Sequence, residues 1–263
     1  MRIKSLFVYP VKSCKGFEVN ELQLEQSGPK WDREFMVVDA DGKFLSQREC
    51  PKLALISVIV RTASVLIVKP WSDLLIPLEN HASKPINVEV WGDRVEALDQ
   101  GDVPSRFFSD FLERSCRLVR YCKPRMRYSD FFSGSVQVSF ADAYPLLIIS
   151  QGSLDDLNRR LSRHISMDRF RPNIVVEGVK PYAEDDWGSL QINGVSLRGG
   201  PLCVRCVITT TDQDTAITGK EPLATLAKYR KREKGVVFGR NFAHLTIGSI
   251  RKGDVVSLLE KKN

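Results

Sequence analysis

The sequence predicts a mainly β protein with peripheral helices, an α+β fold, on three observations. Runs of β-branched and aromatic residues bounded by turn signals recur along the chain, hairpin chemistry stands between several of them, and helical periodicity is confined to three short stretches. In order, residues 3–11, 17–24, 34–38 and 53–60 read as strands. Asp39-Ala40-Asp41-Gly42 follows the third as a hairpin turn, since Asp and Gly accept the backbone angles of tight turns. Residues 104–114 form the first expected helix. The strand-like segment 117–121 leads into residues 123–134, which hold Arg125, Arg127, Tyr128, Asp130, Phe131 and Phe132 without clear periodicity. That stretch is expected to be a domain junction or a mobile loop at the active site.

Residues 153–161 read as a second helix, with Ser153 three residues before Asp156 in the manner of a capping box. Asn193-Gly194, between 190–192 and 195–197, is the strongest hairpin signal, because both residues tolerate positive φ. Residues 207–211 are β-branched throughout and belong in a strand. Residues 221–229 form a third helix, with Pro222 suited to its first turn. Lys252-Gly253-Asp254 is a further turn, and Glu260 to Asn263 a frayed tail.

The chain has 263 residues, 43% hydrophobic and 27% charged, enough for one large domain or two modest ones around a real core. No apolar run approaches the roughly 18 residues of a membrane helix, and no secretory signal opens the chain, so a soluble cytoplasmic protein is expected. Six cysteines at irregular spacing do not form a disulfide framework and fit a reducing compartment. The net charge of +7 favours an anionic partner, whether nucleic acid, phosphate-bearing cofactor or acidic protein, without choosing among them.

Cys203-Val204-Arg205-Cys206 is a CxxC run with several readings. A thioredoxin-type pair opens a helix, whereas a strand is expected here. A zinc site needs two more ligands, yet Cys116 and Cys122 are too far apart for a second CxxC, and His81, His164 and His244 are isolated. The spacings match neither common ferredoxin pattern. A single thiolate for a soft metal fits at the start of a strand, with Arg205 beside it to favour ionisation. Two small core cysteines remain the alternative.

The run from Cys203 to Asp212, followed by Glu221-Pro222-Leu223 and Leu226, resembles the MOSC family, specifically its bacterial YcbX and mitochondrial amidoxime-reducing-component group. Four further segments agree in order: Tyr9 to Gly16, Ser139 to Pro145, Phe170 to Asn173, and Phe238 to Asn241 with Lys252-Gly253-Asp254. The resemblance implies a mixed, largely antiparallel β-barrel core (residues 119–263) with a β-rich N-terminal module (residues 1–118), residues 1–33 rejoining the main barrel. It also implies a molybdenum–molybdopterin cofactor whose metal is held by Cys206, with Cys203 a non-ligating neighbour. Lys12, Ser13, Arg33, Arg171 and Asn173 match cofactor-contacting positions; Asp142, Ala143, Tyr144, Val204, Arg205 and Asn241 match positions lining the pocket. Asp142 is the candidate for relaying protons or, equally, for orienting pocket hydrogen bonds.

The implied activity is reduction of N-hydroxylated compounds by oxygen-atom transfer. With no ferredoxin module at the C-terminus, electrons are expected from a separate flavoprotein, ferredoxin or haem protein. A cofactor or sulfur carrier without turnover is the alternative, and a basic barrel binding nucleic acid a weaker one. One departure stands out: Ala216 occupies a position where many members have glycine, so a positive φ there would be strained.

Overall fold

The computed structural model describes residues 1–70, 72–79, 83–132 and 134–261, so His81 and the last two residues of the expected tail lie outside the described residues. Burial decides how the first strand sits. In Arg2–Val8 the residues Ile3, Leu6 and Val8 are buried, and a register shift between Ile3 and Ser5 reconciles their spacing with the two-residue period of a strand.

That strand enters a nine-stranded sheet whose main path runs Phe17–Val19, Arg2–Val8, Ile174–Glu177, Leu146–Ser150, Gly235–His244, Val195–Val204, Trp187–Ile192 and Val256–Lys261, with Lys231–Arg232 paired off this path. One neighbouring pair is parallel, Leu146–Ser150 with Ile174–Glu177. The helix Gln151–Arg160 lies in the crossover between them, as a parallel connection requires. The other pairings are antiparallel. An antiparallel bridge of Arg2 with Val255, and the bond Val256 N–H to Met1 O (3.1 Å), bring the far edge back onto the first strand. The sheet thus curls around a core that includes Leu6, Ile148, Leu190, Leu197 and Phe242.

The N-terminal half builds its own layers. Lys84–Val90, Asp93–Asp99, Cys116–Tyr121 and Phe35–Asp39 form a four-stranded antiparallel sheet. Ser57–Val60, Ser64–Lys69 and Ser72–Pro77 form a three-stranded one. The helix Asp102–Leu112 buries Phe108 and Leu112 in a cluster with Val37, Val58 and Leu118.

Several expectations change. The run 17–24 breaks at Asn20: Phe17–Val19 stays in the main sheet, while Glu21–Glu25 pairs with Gly248–Arg251 and Gly28–Pro29. Residues 53–60 are strand only from Ser57, because Pro51 opens a 3₁₀ turn, Pro51–Leu55. The second helix is capped by Ser150, whose hydroxyl accepts the Ser153 N–H at 3.1 Å, and not by Ser153. The third helix is shorter than expected, Leu223–Ala227. Residues 123–134 include the strand Arg125–Ser129, which pairs with Gly134–Val138 as a ribbon. Glu260 and Lys261 belong to the last strand and are not frayed. Residues 207–211 are no strand: Val207–Thr210 is a 3₁₀ turn. The hydroxyls of Thr209 and Thr210 donate to the carbonyls of Cys206 (3.0 Å) and Val207 (2.7 Å), and these local bonds override the β preference of the branched side chains.

Candidate cofactor site

Segments far apart in sequence meet at a cleft of about 470 Å³. All twelve residues expected at a cofactor line it: Lys12, Ser13, Arg33, Asp142, Ala143, Tyr144, Arg171, Asn173, Val204, Arg205, Cys206 and Asn241. The cleft is strongly cationic. Lys12, Arg33, Arg48, Arg171, Arg205 and Lys234 line it against the single carboxylate of Asp142.

The loop carrying Arg33 is anchored by Asp32, which is buried. Its Oδ1 accepts the Tyr9 N–H (3.0 Å) and its Oδ2 accepts from Arg33 Nη1 (2.5 Å). Burial works against the Arg33 charge, but Asp32 outweighs it and holds the guanidinium above its ordinary value. Arg33 and Arg171 each lie 4.4 Å from the Tyr9 ring centroid. Arg171 donates from Nη1 to the Cys14 carbonyl (2.6 Å), while its Nη2 is buried without a partner among the described residues. Burial, then the neighbouring Arg33, draws the Arg171 guanidinium down to about 10. Two adjacent cations, of which only Arg33 is paired with a carboxylate among the described residues, make a place for an anion.

Asn173 is buried and stitches strands together: it donates from Nδ2 to Phe7 O (3.3 Å) and accepts the Leu147 N–H (3.2 Å). Asn241 donates to Pro201 O (3.1 Å), and the Tyr144 hydroxyl meets Ser129 Oγ at 2.9 Å. Both therefore shape the wall.

Lys12, only 4% exposed, donates to Phe140 O at 2.9 Å and to Asp142 Oδ1. Burial pulls the Lys12 ammonium below its ordinary value against the support of Asp142. Crowding at the cleft would raise the Asp142 carboxyl, but the charge and hydrogen bond of Lys12 prevail, and a hydrogen bond from Trp91 adds to them. Asp142 is held well below the usual carboxylate range. In this state it is a hydrogen-bond acceptor, and Lys12 Nζ is the proton-bearing partner of the pair.

Cys206 is exposed and free, in extended conformation between the strand Val195–Val204 and the 3₁₀ turn. Arg205 does not face it. Its Nη1 lies 2.9 Å from Cys203 Sγ and its Nη2 donates to Phe170 O (2.7 Å), which corrects the expectation that Arg205 supports Cys206. Arg205 Nε is also buried without a partner among the described residues. The loop beyond is tied to the N-terminal half: Gln47 and Gln213 exchange amide hydrogen bonds (3.2 and 3.1 Å), and Lys15 meets Asp214 at 2.7 Å. Within that loop Ala216 has φ 59°, the strained conformation its departure from glycine implied. Among the described residues no three of His, Cys, Asp and Glu gather as a metal cluster.

The sequence reading missed Phe44, Arg48, Trp91 and Lys234, which also line the cleft. Arg48 lies 4.7 Å from the Trp91 ring, and Trp91 Nε1–H donates to Asp142 Oδ1 at 3.0 Å. Phe44, Arg48 and Trp91 come from the N-terminal half and Lys234 from the C-terminal half, and none carries a local motif; the one available signal is a bulky Trp in the two-residue turn Trp91-Gly92.

A two-part, mainly β chain with two free thiols, Cys203 and Cys206, at a cationic cleft defines a protein whose site suits an anion. Residues 1–115 match the MOSC N-terminal beta barrel domain and residues 135–257 match the MOSC domain. The chain belongs to the MOSC family. It is 37% identical to mitochondrial amidoxime-reducing component 1 of Mus musculus over 279 aligned residues, covering 98% of this chain and 82% of that protein. It is 34% identical to mitochondrial amidoxime reducing component 2 of Homo sapiens, covering 97% and 82%. A molybdenum cofactor sulfurase of Oryza sativa subsp. japonica is 33% identical over 91% of this chain and 32% of that protein.

Proposed function

We propose that this cleft holds a molybdenum–molybdopterin cofactor, with Cys206 as the protein thiolate on the metal, and that the chain reduces N-hydroxylated compounds. The observation that carries the reading is one free, exposed thiol on a cleft lined by six cations and one carboxylate. The unpartnered nitrogens of Arg171 and Arg205 fit the same group, which brings phosphate oxygens and sulfur ligands that accept hydrogen bonds. When bound, the cofactor supplies a two-electron metal able to accept oxygen from an N–O bond. The balance is an N-hydroxy compound, two electrons and two protons giving the amine and water.

The tasks of this chain's residues follow from geometry. Arg33 and Arg171 bind the phosphate, pre-positioned over Tyr9. Ser13, Asn173 and Asn241 shape and hydrogen-bond the pocket, and Ala143, Tyr144 and Val204 give its walls. Lys12 Nζ holds a proton beside Asp142, so protons reach the reacting end through this pair, with the carboxylate orienting and the ammonium donating. Electrons come from a separate flavoprotein, ferredoxin or haem protein, and the +7 net charge favours an acidic donor. Six free cysteines support a reducing compartment, of which the cytoplasm is our choice, although two relatives are named as mitochondrial proteins. Among the described residues no helix is long and apolar enough to cross a membrane.

The test is metal and pterin analysis of wild type, Cys206→Ser and Cys203→Ser from a host that makes molybdopterin, with turnover of an aromatic amidoxime under a chemical reductant. Cys206→Ser is expected to lose molybdenum while Cys203→Ser keeps it. Equal molybdenum in all three would sink the ligand assignment, and loss in Cys203→Ser alone would reverse it. Full loading without turnover, with a persulfide on either cysteine, would favour the cofactor or sulfur carrier role, which the likeness to a sulfurase makes the second reading.

A further inference from the structure

Trp91 and Gly92 are the two-residue loop joining Lys84–Val90 to Asp93–Asp99, since Val90 and Asp93 are register partners. Both loop residues have positive φ, 54° and 85°. This is the backbone of a type I′ hairpin turn, which strongly favours Asn-Gly and which a bulky aromatic enters only under strain. The same molecule shows the ordinary solution at Asn193-Gly194, with φ 47° and 79° between two paired strands. A side chain that breaks the local rule at one of two equivalent turns is held there by something other than the turn.

Core packing does not explain it. Trp91 is 45% exposed, and neither the buried clusters nor the hydrophobics packed on them include it. The indole instead faces the cleft. Its ring centroid is 5.0 Å from that of Phe44, and Arg48 lies 4.7 Å and Lys12 Nζ 5.9 Å from it. Its N–H donates to Asp142 Oδ1, the same oxygen that receives Lys12 Nζ.

We propose that Trp91 is a positioning residue for Asp142: a strained hairpin of the N-terminal half is kept so that the indole N–H, together with Lys12, fixes the carboxylate in the cleft. The N-terminal half thereby contributes a working part of the site, beyond packing against it. That Asp142 serves a reaction rests on the proposed function; that Trp91 fixes Asp142 does not.

The experiment compares wild type with Trp91→Asn, which suits the turn, and Trp91→Phe, which keeps a ring and removes the donor. In cofactor-free protein, carboxyl NMR follows the titration of Asp142, which Lys12, Trp91, Arg33 and Arg125 face. Both variants are expected to raise its midpoint, because a donor to the charged form is gone. Trp91→Asn is expected to melt no lower than wild type, since the turn is relieved. In the loaded protein, kcat for an aromatic amidoxime is expected to fall about tenfold in both with molybdenum content unchanged, the scale of one lost hydrogen bond to a charge. An unshifted Asp142 titration in Trp91→Phe overturns the proposal. A shifted titration in Trp91→Phe, beside a wild-type protein that loads molybdenum yet never turns over, would leave the positioning role standing and remove the reductase reading.

Discussion

Replacing Asp142 with Asn is expected to destabilise the protein through its partner. Lys12 has a side chain 5% exposed, whereas that of Asp142 is 66% exposed, so the substitution leaves a buried ammonium with the Phe140 carbonyl and no counter-charge. Removing one member of a fully buried pair costs about 3–5 kcal/mol and an exposed pair contributes about 0–1 kcal/mol. With one partner buried and the other open to solvent, the expected loss is about 1–2 kcal/mol, or about 2–8 °C in Tm for a chain of this size. Lys12→Met in the Asp142→Asn background is expected to recover most of it, because the apolar stem keeps its packing and the orphaned charge disappears. The pH dependence has a definite sign. Asp142 is held below its ordinary value, so its contribution is complete above about pH 4 and is lost as pH falls through the folded-state value. Wild type and Asp142→Asn should therefore differ at pH 7 and converge only in strong acid. Calorimetric melting of the three proteins across pH measures this. Equal melting of wild type and Asp142→Asn at pH 7, or a double variant no more stable than Asp142→Asn, would refute the reasoning.

Ala216→Gly is expected to raise stability by about 0.5–1 kcal/mol, because relief of a Cβ at φ 59° outweighs the entropy of the new glycine, and thermal melting should show about 1–4 °C. Unchanged or lowered melting would mean that the loop is not strained at this position. Arg171→Met is expected to weaken binding of inorganic phosphate to the cofactor-free protein by about tenfold, by removing one member of the Arg33–Arg171 pair, as read by calorimetry at low salt. An unaltered phosphate affinity would take Arg171 out of the anion site.

The sequence made the site legible to the extent that its chemistry is local. Cys206, Arg171 and Lys12 lie in short runs whose residue types and order survive as motifs, and the Asn193-Gly194 turn needs only its own two residues to be predicted. What escaped depends on direction or distance. Arg205 was assigned to its covalent neighbour Cys206, yet in an extended segment side chains alternate, so Arg205 shares a face with Cys203 two residues back. Residues 207–211 look like a strand by β-branching, but threonine hydroxyls bonding back to nearby carbonyls are equally satisfied in a turn. Arg48 and Trp91 reach the cleft through contacts between separate segments, such as the bridge of Lys43 with Glu89, and no local pattern marks that destination.

Backbone strain adds an independent line of argument for where this molecule works. Nine non-glycine residues have positive φ among the described residues, and four of them, Ser13, Arg33, Trp91 and Arg171, line the cleft. The cleft is lined by 26 residues of 263, so chance alone would place about one there. Each of the four presents a polar group to the site from a loop whose conformation costs on the order of 1 kcal/mol. Such conformations persist only where surrounding bonds enforce them. Asp32 does so for Arg33, the Gln47 amide bond to the Ser13 carbonyl (2.7 Å) for Ser13, and the Cys14 carbonyl for Arg171. Each of these residues thus sits in a frame assembled from other segments. If the strain exists to hold these groups in place for an anionic cofactor, it must persist before the cofactor arrives.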